Sequence, residues 1–173
     1  MVREAHGAEK EFTGNIATEW GVKHEADALA DLGNAIGLAI EPGGFHVHPE
    51  HDWLAASPDG ICFDFNCGVV EIKCPYNQKQ FDLSTREDYY AQIQIQMACT
   101  GLHYGYFAVW TPASLSRELV TVDAGWLDRH LPTLKSFHDE YQFNAACPKR
   151  AAPFLADKTE TRDDIEWEIA AHN

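Results

Sequence analysis

Hydrophobic and polar positions change period several times along the chain, and each change marks an element. From Thr18 to Ile36, Trp20, Ala28, Leu32 and Ala35 recur at three- and four-residue spacing among Lys23, Glu25, Asp27 and Asp31, which predicts an amphipathic helix. Gly37 and Pro42-Gly43-Gly44 break it. Phe45 and Val47 then alternate with His46 and His48 and lead into Trp53-Leu54-Ala55-Ala56, so residues 45–56 are expected to be extended. The turn chemistry of Ser57-Pro58-Asp59-Gly60 follows. Ile61 to Phe65 and Val69 to Lys73 read as two short strands joined through Asn66-Cys67-Gly68, the second ended by Pro75.

A second helix is expected from Ser84 or Thr85 to about Thr100. Ser84 stands three residues before Glu87, as in a capping box, and Gly101 supplies a stop. Tyr104 to Trp110 has strand composition, Thr111-Pro112 a turn, and Glu118 to Val122 a further strand. A third helix begins near Asp123 and carries Trp126, Leu127, His130, Leu134, Phe137, His138 and Tyr141 on an apolar stripe, bent or restarted at Pro132. The elements together make a mixed α/β domain over residues 1–147. Residues 148–173 are polar and read as a tail or a short helix docked through Ile165 and Trp167.

Composition narrows the class. A chain of 173 residues is one domain's worth, and 45% hydrophobic residues is enough for a core. No apolar stretch is long enough to span a bilayer, and Met1-Val2-Arg3-Glu4-Ala5-His6 lacks the apolar run of a leader, so a cytoplasmic location is expected. Five scattered cysteines without a C-x-x-C pair fit neither a disulfide framework nor a zinc ribbon. The net charge of −14 argues against coating nucleic acid by general attraction. It leaves room for a protein whose positive charge is confined to a channel or supplied by bound divalent ions.

The chemistry concentrates at Pro58-Asp59, eleven intervening residues, and Glu71-Ile72-Lys73. On a strand, Glu71 and Lys73 emerge on one face while Val70 and Ile72 enter the other. Asp59, arriving from the end of the neighbouring strand, can meet them, so two carboxylates and an ammonium converge. Magnesium prefers such hard oxygen ligands, and manganese can replace it; the main-chain carbonyl of Ile72 can join Asp59 and Glu71. Lys73 would orient the attacking water or offset charge on the phosphate. Taken singly, a Glu-x-Lys ion pair and a Ser-Pro-Asp-Gly turn are common; together on adjacent strands they point to a site. On the second helix Tyr89, Gln92 and Gln96 fall on one face beside an apolar stripe of Ile93 and Met97.

Four motifs occur in order between Thr18 and Pro112: Trp20-Gly21-x-x-x-Glu25-x-x-Ala28, Ser57-Pro58-Asp59-Gly60, Glu71-Ile72-Lys73-Cys74-Pro75, and Tyr89-Tyr90-Ala91-Gln92-Ile93-Gln94-x-x-Met97. The chain thereby resembles the bacteriophage lambda exonuclease and YqaJ-like viral recombinase family, within the PD-(D/E)XK nuclease superfamily. The resemblance implies a restriction-endonuclease-like fold, a central mixed β-sheet flanked by α-helices. It implies that Asp59 and Glu71 bind the metal, that Lys73 is the catalytic lysine, and that Glu25 adds an acidic group and metal ligand. It also implies that Tyr89 and Gln92 face the active site and that Ser57 lies near the terminal phosphate of a DNA end. A turn-capping role is the alternative for Ser57, and Gln96 is grouped with Ser57 on the substrate side. The implied activity is magnesium-dependent hydrolysis of duplex DNA from its ends, 5′ to 3′, exposing single strands for a recombination annealing protein. A ring-shaped homotrimer and a phage or prophage origin in a bacterial host are implied with it. The residues before Trp20 do not show the tryptophan-and-arginine pattern with which the family helps bind a 5′-phosphate, and Arg3 is a poor substitute for it.

The same residues allow other readings. An endonuclease could use the same core, and a silent DNA- or protein-binding relative could share the fold, although it would have no need of a costly charge cluster. His46, His48 and His51 beside Asp52 could chelate a transition metal, and Cys62, Cys67 and Cys74 an iron–sulfur cluster. Strand histidines are common, however, and the cysteine spacing does not fit.

Overall fold

A computed structural model of the chain describes residues 15–63 and 67–146. The described residues fall into two units, 15–131 and 132–146. The segment 148–173, with Ile165 and Trp167, lies outside the described residues.

The larger unit is a five-stranded mixed sheet between two helices, as the sequence leads one to expect. Helix α1 (Ile16–Ile36) begins where the Asn15 side chain accepts the Thr18 N–H at 2.9 Å and ends at Gly37, whose φ of 72° is the left-handed conformation that glycine adopts cheaply. The chain then forms β1 (Ile40–Pro42), absent from the sequence reading because three residues carry no period. The stretch 45–56 is not one extended run. His46–Val47 (β2) and Ala55–Ala56 (β3) pair antiparallel as a separate two-stranded ribbon, and residues 48–54 reverse direction between them.

Strands β4 (Gly60–Cys62) and β5 (Gly68–Lys73) are antiparallel neighbours. A 3-10 turn (Leu83–Thr85) and helix α2 (Glu87–Thr100) lead to β6 (Tyr104–Thr111), which runs parallel to β5 with Glu71 opposite Phe107. Strand β7 (Ser114–Thr121) returns antiparallel, four residues earlier in its start than expected, and the sheet order is β1-β4-β5-β6-β7. The capping box is not formed: Ser84 sits in the 3-10 turn, and Arg86 at the N-cap of α2 makes no side-chain capping bond.

Both faces of the sheet are covered, which decides the environment of β5. Val70, Ile72, Ala108 and Trp110 pack against Ala28 and Leu32 of α1. Val69, Phe107 and Val109 pack against Ile93 and Met97 of α2. Gly105 permits the second contact, since a Cβ there would stand 2.5 Å from the Ile93 side chain. The face carrying Glu71 is therefore no solvated face but lies under α2, and Glu71 is 1% exposed.

Helix α3 (Trp126–Ala146) runs through Pro132 without the expected restart. In its second half Leu134, His138 and Tyr141 are half-buried and Phe137 and Phe143 exposed. No helix among the described residues is long and apolar enough to cross a membrane.

Candidate active site

The antiparallel pairing of β4 with β5 brings Asp59 alongside the end of the central strand. The Asp59 N–H donates to the Val70 carbonyl at 3.0 Å, and Oδ2 of Asp59 accepts the Ile72 N–H at 2.7 Å. The carboxylate is thus clamped against the main chain between Glu71 and Lys73. Gly43 holds the preceding turn from behind: a Cβ on it would lie 2.1 Å from the Pro58 carbonyl oxygen.

Glu71 has a donor on each oxygen. The Lys73 ammonium donates to Oε1, and Gln96 Nε2 donates to Oε2 at 2.6 Å. Lys73, a quarter exposed, also donates to Gln92 Oε1 at 3.3 Å and stands 4.6 Å from the centre of the Tyr89 ring. Tyr89 packs in turn on Phe107 and Phe81, with the Arg86 guanidinium 3.9 Å from its ring centre. The polar face predicted on α2 is real, but its members differ in depth. Tyr89 and Gln92 are half-buried at Lys73, whereas Gln96, grouped with the substrate side, is 1% exposed and lies against Glu71.

The charges do not balance. Burial, followed by the negative charge of Glu71, pushes the Asp59 carboxyl up to about 7, against which the Ile72 N–H and Lys73 only partly act. Two acids share one ammonium in a half-dry site, and without a further positive charge Asp59 keeps its proton up to near neutral pH. The Oε1 of Gln96 is, besides, a buried acceptor without a hydrogen-bond partner. This donor set fits a hard divalent cation, which uses one or two carboxylates and takes its remaining ligands from water and phosphate oxygens. Among the described residues no three His, Cys, Asp or Glu side chains gather closely enough to hold a metal by themselves.

Glu25 is accordingly not drawn into ligand range with Asp59 and Glu71. It is exposed on α1, where its charge also raises Asp59, and it borders two clefts. One, of about 490 Å³, reaches Thr18, Lys73 and Tyr89; the other, of about 720 Å³, reaches Leu29, Ile40 and Asp59. A third concavity, between Leu83, Tyr90 and Leu119, holds none of the predicted residues. Ser57 is exposed and donates to the Gly44 carbonyl at 2.8 Å, tying its turn to the Gly43-Gly44 segment. Ile72 meets Asp59 through its N–H, and its side chain is buried on the α1 side. Arg86 escaped the sequence reading; its one signal is its place three residues before Tyr89 at the start of α2. The other metal candidates do not gather either: His46 bonds the Gly43 carbonyl, and His48 stacks on His51 with ring centres 4.8 Å apart.

The fold is shared with known exonucleases. Residues 1–103 match the YqaJ-like viral recombinase domain. The alkaline exonuclease LHK-Exo from Laribacter hongkongensis superposes with a TM-score of 0.65 at 26% identity, covering 82% of this chain and 77% of its own. LHK-Exo in complex with dAMP gives 0.68 at 26% identity over 82% and 76% of the two chains. A phage related exonuclease from Haemophilus somnus 129PT gives 0.63 at 14% identity over 82% and 77%, a likeness of fold alone. No curated protein matches the sequence.

Proposed function

Because the chain belongs to the YqaJ-like viral recombinase family, we propose that it is a metal-dependent exonuclease that hydrolyses phosphodiester bonds from the ends of duplex DNA. The observation that carries this reading is the convergence of Asp59, Glu71 and Lys73 at the end of the central strand, where Asp59 is raised for want of a further positive charge. Likeness to an alkaline exonuclease over four fifths of the chain supports the reaction class.

Asp59 and Glu71, with the Ile72 carbonyl, would hold magnesium or manganese; bound there, the ion lowers the pKa of water and offsets charge building on the phosphate. Lys73 supplies the fixed positive charge. Gln92 and the Tyr89 ring hold its ammonium beside Glu71, and an ammonium so held is preorganised to face a phosphate oxygen as charge develops. Glu25, at the rim of both clefts, contributes to the field that makes a cation welcome. The biological reading is degradation of one strand, 5′ to 3′, in the cytoplasm of a phage host, to expose single-stranded DNA for an annealing protein. A homotrimer around the duplex would confine favourable potential to a channel in a chain of net charge −14.

The test is incubation of end-labelled linear duplex, with and without a 5′-phosphate, in magnesium. Wild type should release nucleotides from the labelled end and lose all activity to a chelator. Lys73→Ala should be slower by two to three powers of ten, about 3–4 kcal/mol of transition-state stabilisation. Full activity of Lys73→Ala removes the role given to that lysine. Cleavage of covalently closed circles would make the protein an endonuclease on the same core.

A further inference from the structure

We propose that Gln96 is a positioning residue that fixes the Glu71 carboxylate as a one-oxygen ligand for the cation, an assignment resting on the metal-dependent reading above. Glu71 is buried on a covered face of β5, where an ionised carboxylate persists only if its oxygens are bonded. Its two donors differ in kind. Lys73 is partly exposed and shared with Gln92, so its hold on Oε1 can give way to another positive charge at that oxygen. Gln96 is uncharged, fully buried, and set on α2 between Ile93 and Met97, which are themselves locked against Val69 and Phe107. A carboxylate oxygen only accepts, so the 2.6 Å contact at Oε2 identifies the Gln96 nitrogen as donor. That bond ties down one oxygen and the plane of the group, so that Oε1, which accepts from Lys73, is the oxygen left to take the cation. The site has few protein ligands, so the aim of each one weighs heavily on affinity. Outer partners of metal-binding carboxylates typically contribute about 10–100-fold in affinity.

A second buried glutamine on the same helix provides the control. Gln94, 2% exposed, bonds the Thr121 carbonyl and the Asp123 N–H at the end of β7 and makes no bond to Glu71. Gln96→Met keeps the length of the side chain and removes the donor, and Gln94→Met does the same away from the site. Manganese affinity, read by electron paramagnetic resonance of the free ion, should fall about tenfold or more in Gln96→Met and stay within twofold of wild type in Gln94→Met. With linear duplex the Gln96→Met loss should appear at limiting magnesium and be relieved as magnesium is raised, whereas Gln94→Met should follow wild type throughout. In wild type, the Gln96 side-chain amide should show a downfield-shifted proton by NMR that persists at saturating magnesium, a readout that requires no variant to fold. Wild-type manganese affinity in a folded Gln96→Met, or return of that proton to the position of a free amide when magnesium saturates, would overturn the assignment of Gln96 alone. Absence of manganese binding by wild type would overturn the metal-dependent reading and the assignment with it.

Discussion

Asp59 shows how a single side chain can oppose folding while serving a site. Its carboxyl is raised from 3.8 to about 7, by burial first and by Glu71 second. For an acid raised in the folded state, the linked stability is fully present below the unfolded value near 3.8 and is lost as pH climbs through about 7. Metal-free protein should thus weaken between pH 4 and pH 8, by at most ~4 kcal/mol from this group. Asp59→Asn can still accept the Ile72 N–H through its amide oxygen. In chelator, urea denaturation should find Asp59→Asn more stable than wild type at pH 8 and equal to it at pH 4, with nuclease activity abolished. Parallel pH profiles for the two proteins would mean that the Asp59 carboxyl is not strained. The Phe107 ring works in the opposite direction. It is buried between Phe81 and Tyr89, and Phe107→Ala should cost about 3–5 kcal/mol in the same assay.

At the scale of elements, caps and close approaches decide where functional groups arrive. Asn15 caps α1 through its side chain, so Asn15→Ala should cost about 1 kcal/mol. Ser84, although it matches the capping pattern, makes no such bond to α2, and Ser84→Ala should change stability by less than about 0.5 kcal/mol. Thermal denaturation of the two variants distinguishes the cap in the structure from the one the pattern suggests. Gly43 matters more for function. A methyl there meets the Pro58 main chain, which cannot yield without moving Asp59, so Gly43→Ala should cost about 1–3 kcal/mol and lower activity at least tenfold. Activity retained at wild-type level in a folded Gly43→Ala would show that the turn can shift without disturbing the site.

For the molecule as a whole, the net charge of −14 sets the terms of any encounter with DNA. A polyanion approaching an acidic protein is repelled at long range, and under the proposed function the attraction would be local, at Lys73 and at bound cations. Duplex binding measured in chelator should be weak. Millimolar magnesium should strengthen it well beyond what the same ionic strength of sodium does, because sodium screens but does not seat at paired carboxylates. Equal effects of the two salts would show that general screening, and not a seated ion, governs association.

Much was legible in residue order because its physical causes are local. The period of α1, its stop at Gly37, the Gly101 stop of α2 and the apolar composition of β5 and β6 all follow from backbone preference and side-chain alternation. So did the candidacy of Asp59, Glu71 and Lys73, since a turn and a two-residue strand repeat are short-range facts. Other features depended on segments far apart in the chain. The ribbon β2–β3 needs a pairing partner that alternation cannot name, and β1 is a strand only because Gly60 to Cys62 lie beside it. A period of two assigns Glu71 a face, but only the packing of α2 decides whether that face is wet or dry. That packing buries Glu71, converts Gln96 from a surface residue into the donor beneath it, and leaves Glu25 at the rim; desolvation and contact are properties of the folded neighbourhood, which no local pattern contains.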